Sequence, residues 1–575
     1  MPVSLSNLSN ALAAQPNRFD YSDPDKVRGG YYTPEPLAAW LSRWAIRKPS
    51  DRVLEPSCGN GAFVVAASTQ LTNLGCPAVK TASQITGVEL IAREAVEAER
   101  RLAAAAGLLF SPAISTSDFF AWANAHAEDR FDVVLGNPPF IRYQAFPEPH
   151  RGRAMEWLER AGLKANRLTN IWVPFVVASV NLLKAGGRLA MVLPAELLQV
   201  GYAAQLRTFL AEHFEAIQIV ACNELFFEKA EQEVVLLLAD GARVSSNGAA
   251  TRVRLVESSN IDDLITYEPQ SLFSEAEEKT ISHNEEKWLK CFLSNHEIGL
   301  MRALKTSPSC SSLARHARAT VGIVTGRNEF FVLKKSQLKS LGLEEETLRI
   351  VSKASHLRGA DFLDHDYEVL SEDDQRVYLL NLGNLPMSSL SVAAQNYVRT
   401  GEIQKWHKGY KCSIRMPWYD VPSIWTPDAF SFRQIYDFPR IVFNKAKATC
   451  TDTIHRIKVN EGVDPEKFCA NTYTYLTAAS AEIEGRSYGG GVLELEPSEA
   501  GRLLFPAELA SAMPISEADR LIRAGRLIDV LEFNSKAVLQ EGMGLSVQEC
   551  KDLSSIWEKM RNRRHNRNRR EDRVK

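Results

Sequence analysis

A chain of 575 residues, 45% apolar and 24% charged, is too long for one hydrophobic core and has the make-up of a soluble globular protein, so two or three domains are expected. A formal charge of −2 argues against nucleic-acid binding by bulk charge alone, and nine scattered cysteines with no Cys-x-x-Cys pair argue against a zinc ribbon or a disulfide framework. No apolar run approaches bilayer length and the first residues lack a basic-then-apolar leader, so no membrane partner and a cytoplasmic location are the expectation.

In chain order, residues 1–25 are polar without a clear period and form a lead-in. Residues 26–245 carry the alternation of a doubly wound α/β domain of about seven strands. It begins with Tyr31-Tyr32-Thr33-Pro34 before a helical run from Glu35 to Trp44. Thr33 has the look of an N-cap with Pro34 at the first helical position, and free amides there suit a carboxylate ligand. Asp51 to Phe63 follows as strand, glycine turn and helix. Gly59 and Gly61 let the backbone approach a ligand at the strand end, and Glu55 suits a positively charged one. Val64 stands where a dinucleotide fingerprint has its third glycine, which disfavours a nicotinamide dehydrogenase. A second strand, Gln84 to Glu89, ends on a carboxylate placed for ribose hydroxyls, and a third, near Ala113–Ser117, ends in Asp118-Phe119. Asp118 can accept a hydrogen bond from an adenine amine, and Phe119 can wall the ring.

The fourth strand, Phe131 to Leu135, runs into Asn137-Pro138-Pro139-Phe140. Two prolines forbid both helix and ladder and force a stiff, extended exit from the sheet. An amide oxygen and a peptide carbonyl are then an acceptor pair suited to an –NH2 group, and an aromatic ring beside them can stack on a flat heterocycle. Beyond lie a helix from Ile171 to Leu183 capped by Gly186-Gly187, a strand Arg188–Leu193, a helix Gly201–His213, and strands Ala216–Cys222 and Glu233–Ala239. Between the last two, Leu225 to Lys229 is a hairpin tip offering Phe226 or Phe227.

Residues 246–550 open on a Ser-, Asn- and Glu-rich stretch and hold no catalytic motif. Basic residues interleaved with aromatics at Val321–Asn328, Ser355–Gly359, Lys408–Arg415, Arg440–Lys447 and Thr453–Arg456 suit phosphate and base-edge contacts, as they also suit any solvated face. Asp464 to Lys467 has the residue types of a nuclease metal site without its strand context. Residues 551–575 form a terminal helix with a basic end: Lys559 to Lys575 holds nine Lys and Arg against Glu571 and Asp572, a local +7 that leaves −9 for the rest.

The order Tyr-Tyr-Thr-Pro, Val-Leu-Glu-Pro-Ser-Cys-Gly-Asn-Gly, Gly-Val-Glu, Ser-Asp-Phe and Gly-Asn-Pro-Pro-Phe resembles the gamma group of DNA amino-methyltransferases, the adenine-N6 modification enzymes of bacterial restriction–modification systems. The resemblance spans residues 29–240. It implies a Rossmann-like class I fold that binds S-adenosylmethionine, followed by a mixed α+β target-recognition domain at 246–550. Thr33 then resembles the residue that meets the methionine carboxylate, with Tyr32 beside it. Glu55, Pro56, Gly59 and Gly61 resemble the methionine-side pocket, Glu89 with Leu90 the ribose site, and Asp118 with Phe119 the adenine pocket. Asn137, Pro138, Pro139 and Phe140 resemble the catalytic turn that grips and stacks on a flipped adenine, and Phe226, with Phe227 an equally near candidate, resembles the aromatic that backs it. Relatives often carry tyrosine where Phe140 stands; stacking needs only the ring. Gly489 to Pro497 also resembles a stretch of such second halves. The implied partner is double-stranded DNA, which would place the protein on the nucleoid; a cognate restriction endonuclease would act separately, and the methylase would be a monomer. Cytosine-N4 methylation, an RNA or protein-glutamine methyltransferase, and a non-catalytic DNA-binding specificity subunit are the alternatives.

Overall fold

The computed structural model describes residues 32–109, 113–164, 169–222, 224, 233–243, 251–487 and 489–566. They fall into two compact units that divide between Ser294 and Asn295. Among the described residues no helix is long and apolar enough to cross a membrane.

One nine-stranded sheet organises the first unit. Its strands are β1 (Val53–Glu55), β2 (Ile85–Glu89), β3 (Ile114–Thr116), β4 (Phe131–Gly136), β5 (Leu183–Pro194), β6 (Phe214–Cys222), β7 (Val234–Ala242), β8 (Arg252–Ser258) and β9 (Glu278–Lys279). Their order is β3-β2-β1-β4-β5-β7-β6-β8-β9. The first five neighbours run parallel, and β7 enters antiparallel between β5 and β6. Val133 and Leu135 of β4 face a core shared with Trp40 and Trp44 of the helix Glu35–Ala45, Phe63 and Leu71 of the helix Ala62–Asn73, and Ala98 and Leu102 of the helix Ala92–Ala105. Val134, on the opposite face, is equally inaccessible, so this strand is covered on both sides. The strand order reverses between β1 and β4, and there the carboxyl ends of two parallel strands lie side by side, the place where open α/β sheets bind ligands.

Several expectations are corrected. Pro34, not Thr33, is the N-cap of the first helix, which makes no side-chain cap bond. The helix expected to end at Gly186-Gly187 spans Trp172–Asn181, because Leu183 already pairs with Phe131; Lys184–Gly187 is a four-residue excursion before Arg188 pairs with Val133. Gly186 turns it at φ +73°. The sheet also runs past residue 245: β8 pairs in parallel with β6 and β9 pairs with β8. The polar side of β8 is what reads as linker composition. Phe226 and Phe227 lie outside the described residues.

The second unit mixes helices with several small sheets. A five-stranded sheet runs in the order Ala317–Val321, Ile454–Val459, Ala429–Phe432, Ile441–Asn444, Asp361–Phe362. A four-stranded one runs Val332–Leu333, Tyr378–Leu380, Thr347–Val351, Thr449–Cys450. The helix Val547–Asn566 packs along the buried helix Tyr475–Glu484. Here the basic end is partly internal. Arg564, 2% exposed, binds both carboxylate oxygens of Glu482 at 2.6 and 2.8 Å and donates to the carbonyls of Gly491 and Tyr436. Lys559 pairs with Glu297 at 2.6 Å, and the Arg561 guanidinium lies over Trp557. All nine cysteines are buried and free.

Candidate active site at the β1–β4 edge

The glycine turn after β1 is built around one carboxylate. Gly59 N–H donates to Glu89 Oε2 at 2.8 Å and Ile91 N–H to Glu89 Oε1 at 2.9 Å, so the acid ending β2 holds the turn of its neighbour. Cys58 N–H donates to Val88 O at 3.0 Å, and Gly61 N–H closes the turn on Cys58 O at 2.7 Å. Gly59 and Gly61 adopt φ +49° and +89°, the left-handed region. Arg101 braces the turn from outside, donating to Asn60 O at 3.0 Å and to Glu35 at 2.6 Å. Tyr32, half exposed, packs its ring near Gly59, and its hydroxyl donates to Glu94 at 2.9 Å. Leu90 is 47% exposed beside the same edge.

Glu55 is 2% exposed, and its Oε2 is buried with no hydrogen-bond partner among the described residues. Burial first, and the nearby Glu89 carboxylate second, hold Glu55 well above the usual carboxylate range. Burial also raises Glu89, against the lowering by its two backbone N–H donors. Such a pair stores a strong demand for a cation.

Asn137 leaves β4 on the adjacent strand end. Its Nδ2 donates to Thr33 Oγ1 at 3.3 Å, across 104 residues, and Ser57 Oγ donates to the Asn137 carbonyl at 3.3 Å. The Thr-Pro, glycine and Asn-Pro-Pro motifs therefore meet at one point. Nδ2 is thus the donor toward Thr33, which leaves Oδ1 as the amide's acceptor atom. Gly136 brings this turn against Pro56, where a Cβ would stand 3.4 Å from the ring. Pro138 is buried, Pro139 and Phe140 are half-buried, and Phe140 packs against the core that the first helix shares.

Asp118 is more committed than its motif suggests. Oδ1 accepts Ala121 N–H at 2.9 Å as the cap of the helix Phe119–Ala125, His150 Nδ1 stands 3.1 Å from Oδ2, and Arg153 lies 3.6 Å from Oδ1. Phe119, 3% exposed, stacks on Phe175 with centroids 5.1 Å apart. His150, Arg153 and Arg101 escaped sequence reasoning, since only tertiary contact links them to the motifs, and Ser57, inside the glycine motif, was given no role there. Among the described residues no group of three His, Cys, Asp or Glu is placed to hold a metal ion. Asp464 serves as a helix cap for Glu466 and Lys467 N–H.

In the second unit most of the basic residues singled out are spent internally. Arg456 donates to Val321 O and Ser423 O and lies over Trp425, Arg440 donates to Arg358 O and Gly359 O, and Lys445 pairs with Asp361. Lys408, Lys411 and Lys447 remain exposed.

Known proteins with this pattern are DNA modification enzymes. The chain is 23% identical over 495 residues to Type II methyltransferase M.AccI of Acinetobacter calcoaceticus, covering 82% of this chain and 84% of that one. It is 22% identical over 493 residues to Type II methyltransferase M.XamI of Xanthomonas campestris pv. amaranthicola, covering 83% and 85%. A nuclease-deletion mutant of the Type ISP restriction-modification enzyme LlaGI, solved with a DNA substrate mimic, superposes with a TM-score of 0.50 at 11% identity. That likeness, one of fold, covers 86% of this chain and 54% of the other. Residues 85–227 match the Eco57I restriction-modification methylase family and residues 285–539 match the C-terminal domain of Type II methyltransferase M.Eco57I. With one match in each half of the sequence, the chain belongs to the type II restriction–modification methyltransferases of the Eco57I family.

Proposed function

We propose that this DNA methyltransferase moves a methyl group from S-adenosylmethionine to the N6 amine of an adenine turned out of the duplex, at one recognised sequence. The observation that carries the reading is the Asn137–Thr33 contact, which holds the Asn137 amide beside the glycine turn and the Glu55 carboxylate, whose Oε2 has no partner among the described residues.

The residues present fit S-adenosylmethionine. Glu55 Oε2 would meet the amino acid ammonium, Gly59, Gly61 and Pro56 would line the methionine side with Tyr32, and Glu89 with Leu90 would face the ribose. Asp118 and Phe119 would border the adenine. When bound, the cofactor supplies an electrophilic methyl group on a sulfonium. Asn137 Oδ1 and the Pro138 carbonyl then accept the two N–H bonds of the target amine. Doing so draws its nitrogen toward sp³ geometry and frees the lone pair for in-line attack. Pro138 and Pro139 hold the acceptors rigid, so little reorganisation accompanies the step. Phe140 offers its face to the extruded base, with Phe226 as its backing, and offsets part of an unstacking cost of a few kcal/mol. Thr33 acquires a second role as the residue that orients Asn137.

Residues beyond the sheet, up to 550, are proposed to read the target, with the basic end at 551–575 beside it and a separate endonuclease cutting the same sequence. The enzyme is proposed to act as a monomer in the cytoplasm, on nucleoid DNA. Transfer of labelled methyl to unmethylated DNA, followed by nucleoside digestion and mass spectrometry, tests the reaction. N6-methyladenine supports it, N4-methylcytosine keeps the mechanism and changes the base, and label in RNA or protein alone refutes it.

A further inference from the structure

Fourteen residues of the second unit, Ile403 to Met416, expose an unusual set of side chains on a firmly held backbone. Met416 is 94% exposed, Tyr410 74% and Ile414 64%. Large apolar side chains clustered at such exposure mark a binding surface. Beneath them the segment is anchored. Cys412 is 1% exposed, Trp406 packs edge-on against Phe330, and Arg415 donates to Thr325 O at 2.7 Å and Val324 O at 2.6 Å. Gly326 lies so close beneath that a Cβ there would stand 2.9 Å from Lys411 Cβ. Lys405, Lys408 and Lys411 are exposed in the same fourteen residues and form no salt bridge among the described residues, and Lys411 Nζ lies over the Tyr410 ring, 5.6 Å from its centroid. The only carboxylate between Arg399 and Met416 is Glu402, which accepts from Trp418 Nε1 at 3.3 Å.

Resting on the reading of this chain as a DNA methyltransferase, we infer that Tyr410, Ile414 and Met416 form an apolar wedge that enters the base stack of the bound duplex, while Lys405, Lys408 and Lys411 hold the phosphates on either side. Lysine is depleted from protein–protein interfaces, whereas methionine and isoleucine flanked by cations are the side chains that part base steps and kink DNA. The rigid base of the segment matters because a wedge must keep its shape against a stacked pair. Opening a step in this way lowers the cost of turning out a nearby target.

The test uses the full-length enzyme and a duplex carrying the sequence it methylates, with 2-aminopurine substituted at one position at a time. The wild-type protein should brighten the probe at one step distinct from the target adenine. Met416→Ala with Ile414→Ala should abolish that signal and lower kcat/KM by about tenfold or more, while Met416→Leu keeps both. An abasic site at the same step should restore the double variant's rate, which a merely unfolded variant would not show. Replacing Lys405, Lys408 and Lys411 by Gln should reduce the slope of log K against log salt by about 3. Unchanged probe signal and rate in the double variant, with methylation intact, overturns the wedge. So does a double variant that methylates normally and loses only its association with another protein. A wild-type enzyme that binds the duplex without methylating DNA overturns the functional reading beneath it and is told apart by that result.

Discussion

One added methyl group at Gly61 separates what the fold needs from what the cofactor needs. A Cβ there would stand 2.8 Å from Ala98 Cα and 3.0 Å from Ala98 Cβ, so the obstacle is helix backbone and not a side chain that can swing away. The residue also sits at φ +89°, where an L-side chain costs roughly 1–2 kcal/mol. Overpacking adds roughly 1–3 kcal/mol. Gly61→Ala should therefore destabilise the first unit by about 2–5 kcal/mol, a fall in Tm of roughly 3–8 °C for a unit of this size. Gly59→Ala is the control two residues away. Its Cβ would lie 3.7 Å from the Tyr32 ring, an ordinary contact, at φ +49°. It should cost the fold only about 1–2 kcal/mol, yet it puts a methyl group where the backbone would approach the cofactor. Circular dichroism melts and calorimetric titration with S-adenosylhomocysteine read the two effects apart. The expected pattern is a large Tm loss for Gly61→Ala, and a small one with affinity weakened about tenfold or more for Gly59→Ala. A Gly61→Ala protein as stable as wild type would refute the packing argument, and unchanged affinity in Gly59→Ala would refute the placement of the cofactor.

Asn137→Ala should lower kcat by about 10²–10³-fold with cofactor affinity unchanged, since the acceptor acts on the reacting amine; near wild-type turnover would remove its assigned role. Cofactor affinity should strengthen as pH rises through the raised pKa of Glu55, because only the ionised carboxylate pairs with the ammonium, and Glu55→Gln should flatten that profile in calorimetry. Over the same window the cofactor-free protein should lose stability with rising pH, because folded Glu55 keeps a proton that the unfolded chain releases; melts across pH check the sign. Arg564→Met strands the buried Glu482 carboxylate and should cost about 3–5 kcal/mol in urea unfolding, most of it recovered when Glu482 is also replaced by Met. A single-variant cost below about 1 kcal/mol would mean that Arg564 is not sealed inside.

The parts of the site that were legible in sequence are those with a local code. Two prolines after an apolar strand, and two glycines after another, dictate backbone paths whatever surrounds them, so Asn137 and the Gly59–Gly61 turn were readable. What was not readable depends on distant partners. Thr33 carries the signature of a helix cap, yet its hydroxyl is taken by Asn137. Asp118 was read as an open acceptor, but His150 and Arg153 arrive on a later helix, 32 and 35 residues along the chain. β8 has only three apolar residues, Val253 buried and Leu255 and Val256 half-buried, among charged ones, so its place in the sheet comes from pairing with β6 and not from its own composition. Arg564 looked like part of a solvated basic tail because no local pattern announces a partner 82 residues away.

The burial of every cysteine gives this enzyme a silent thiol background. Burial pushes the thiols of Cys222 and Cys291 up to about 12, and that of Cys310 up as well, which withholds the reactive thiolate while the native packing lasts. Alkylation of the native thiols thus becomes a clock for opening. Four of them (Cys58, Cys76, Cys222 and Cys291) report on the first unit and the other five on the second, resolved in one peptide map. Against that background a single cysteine introduced at Met416 would take a dye alone and report wedge insertion directly.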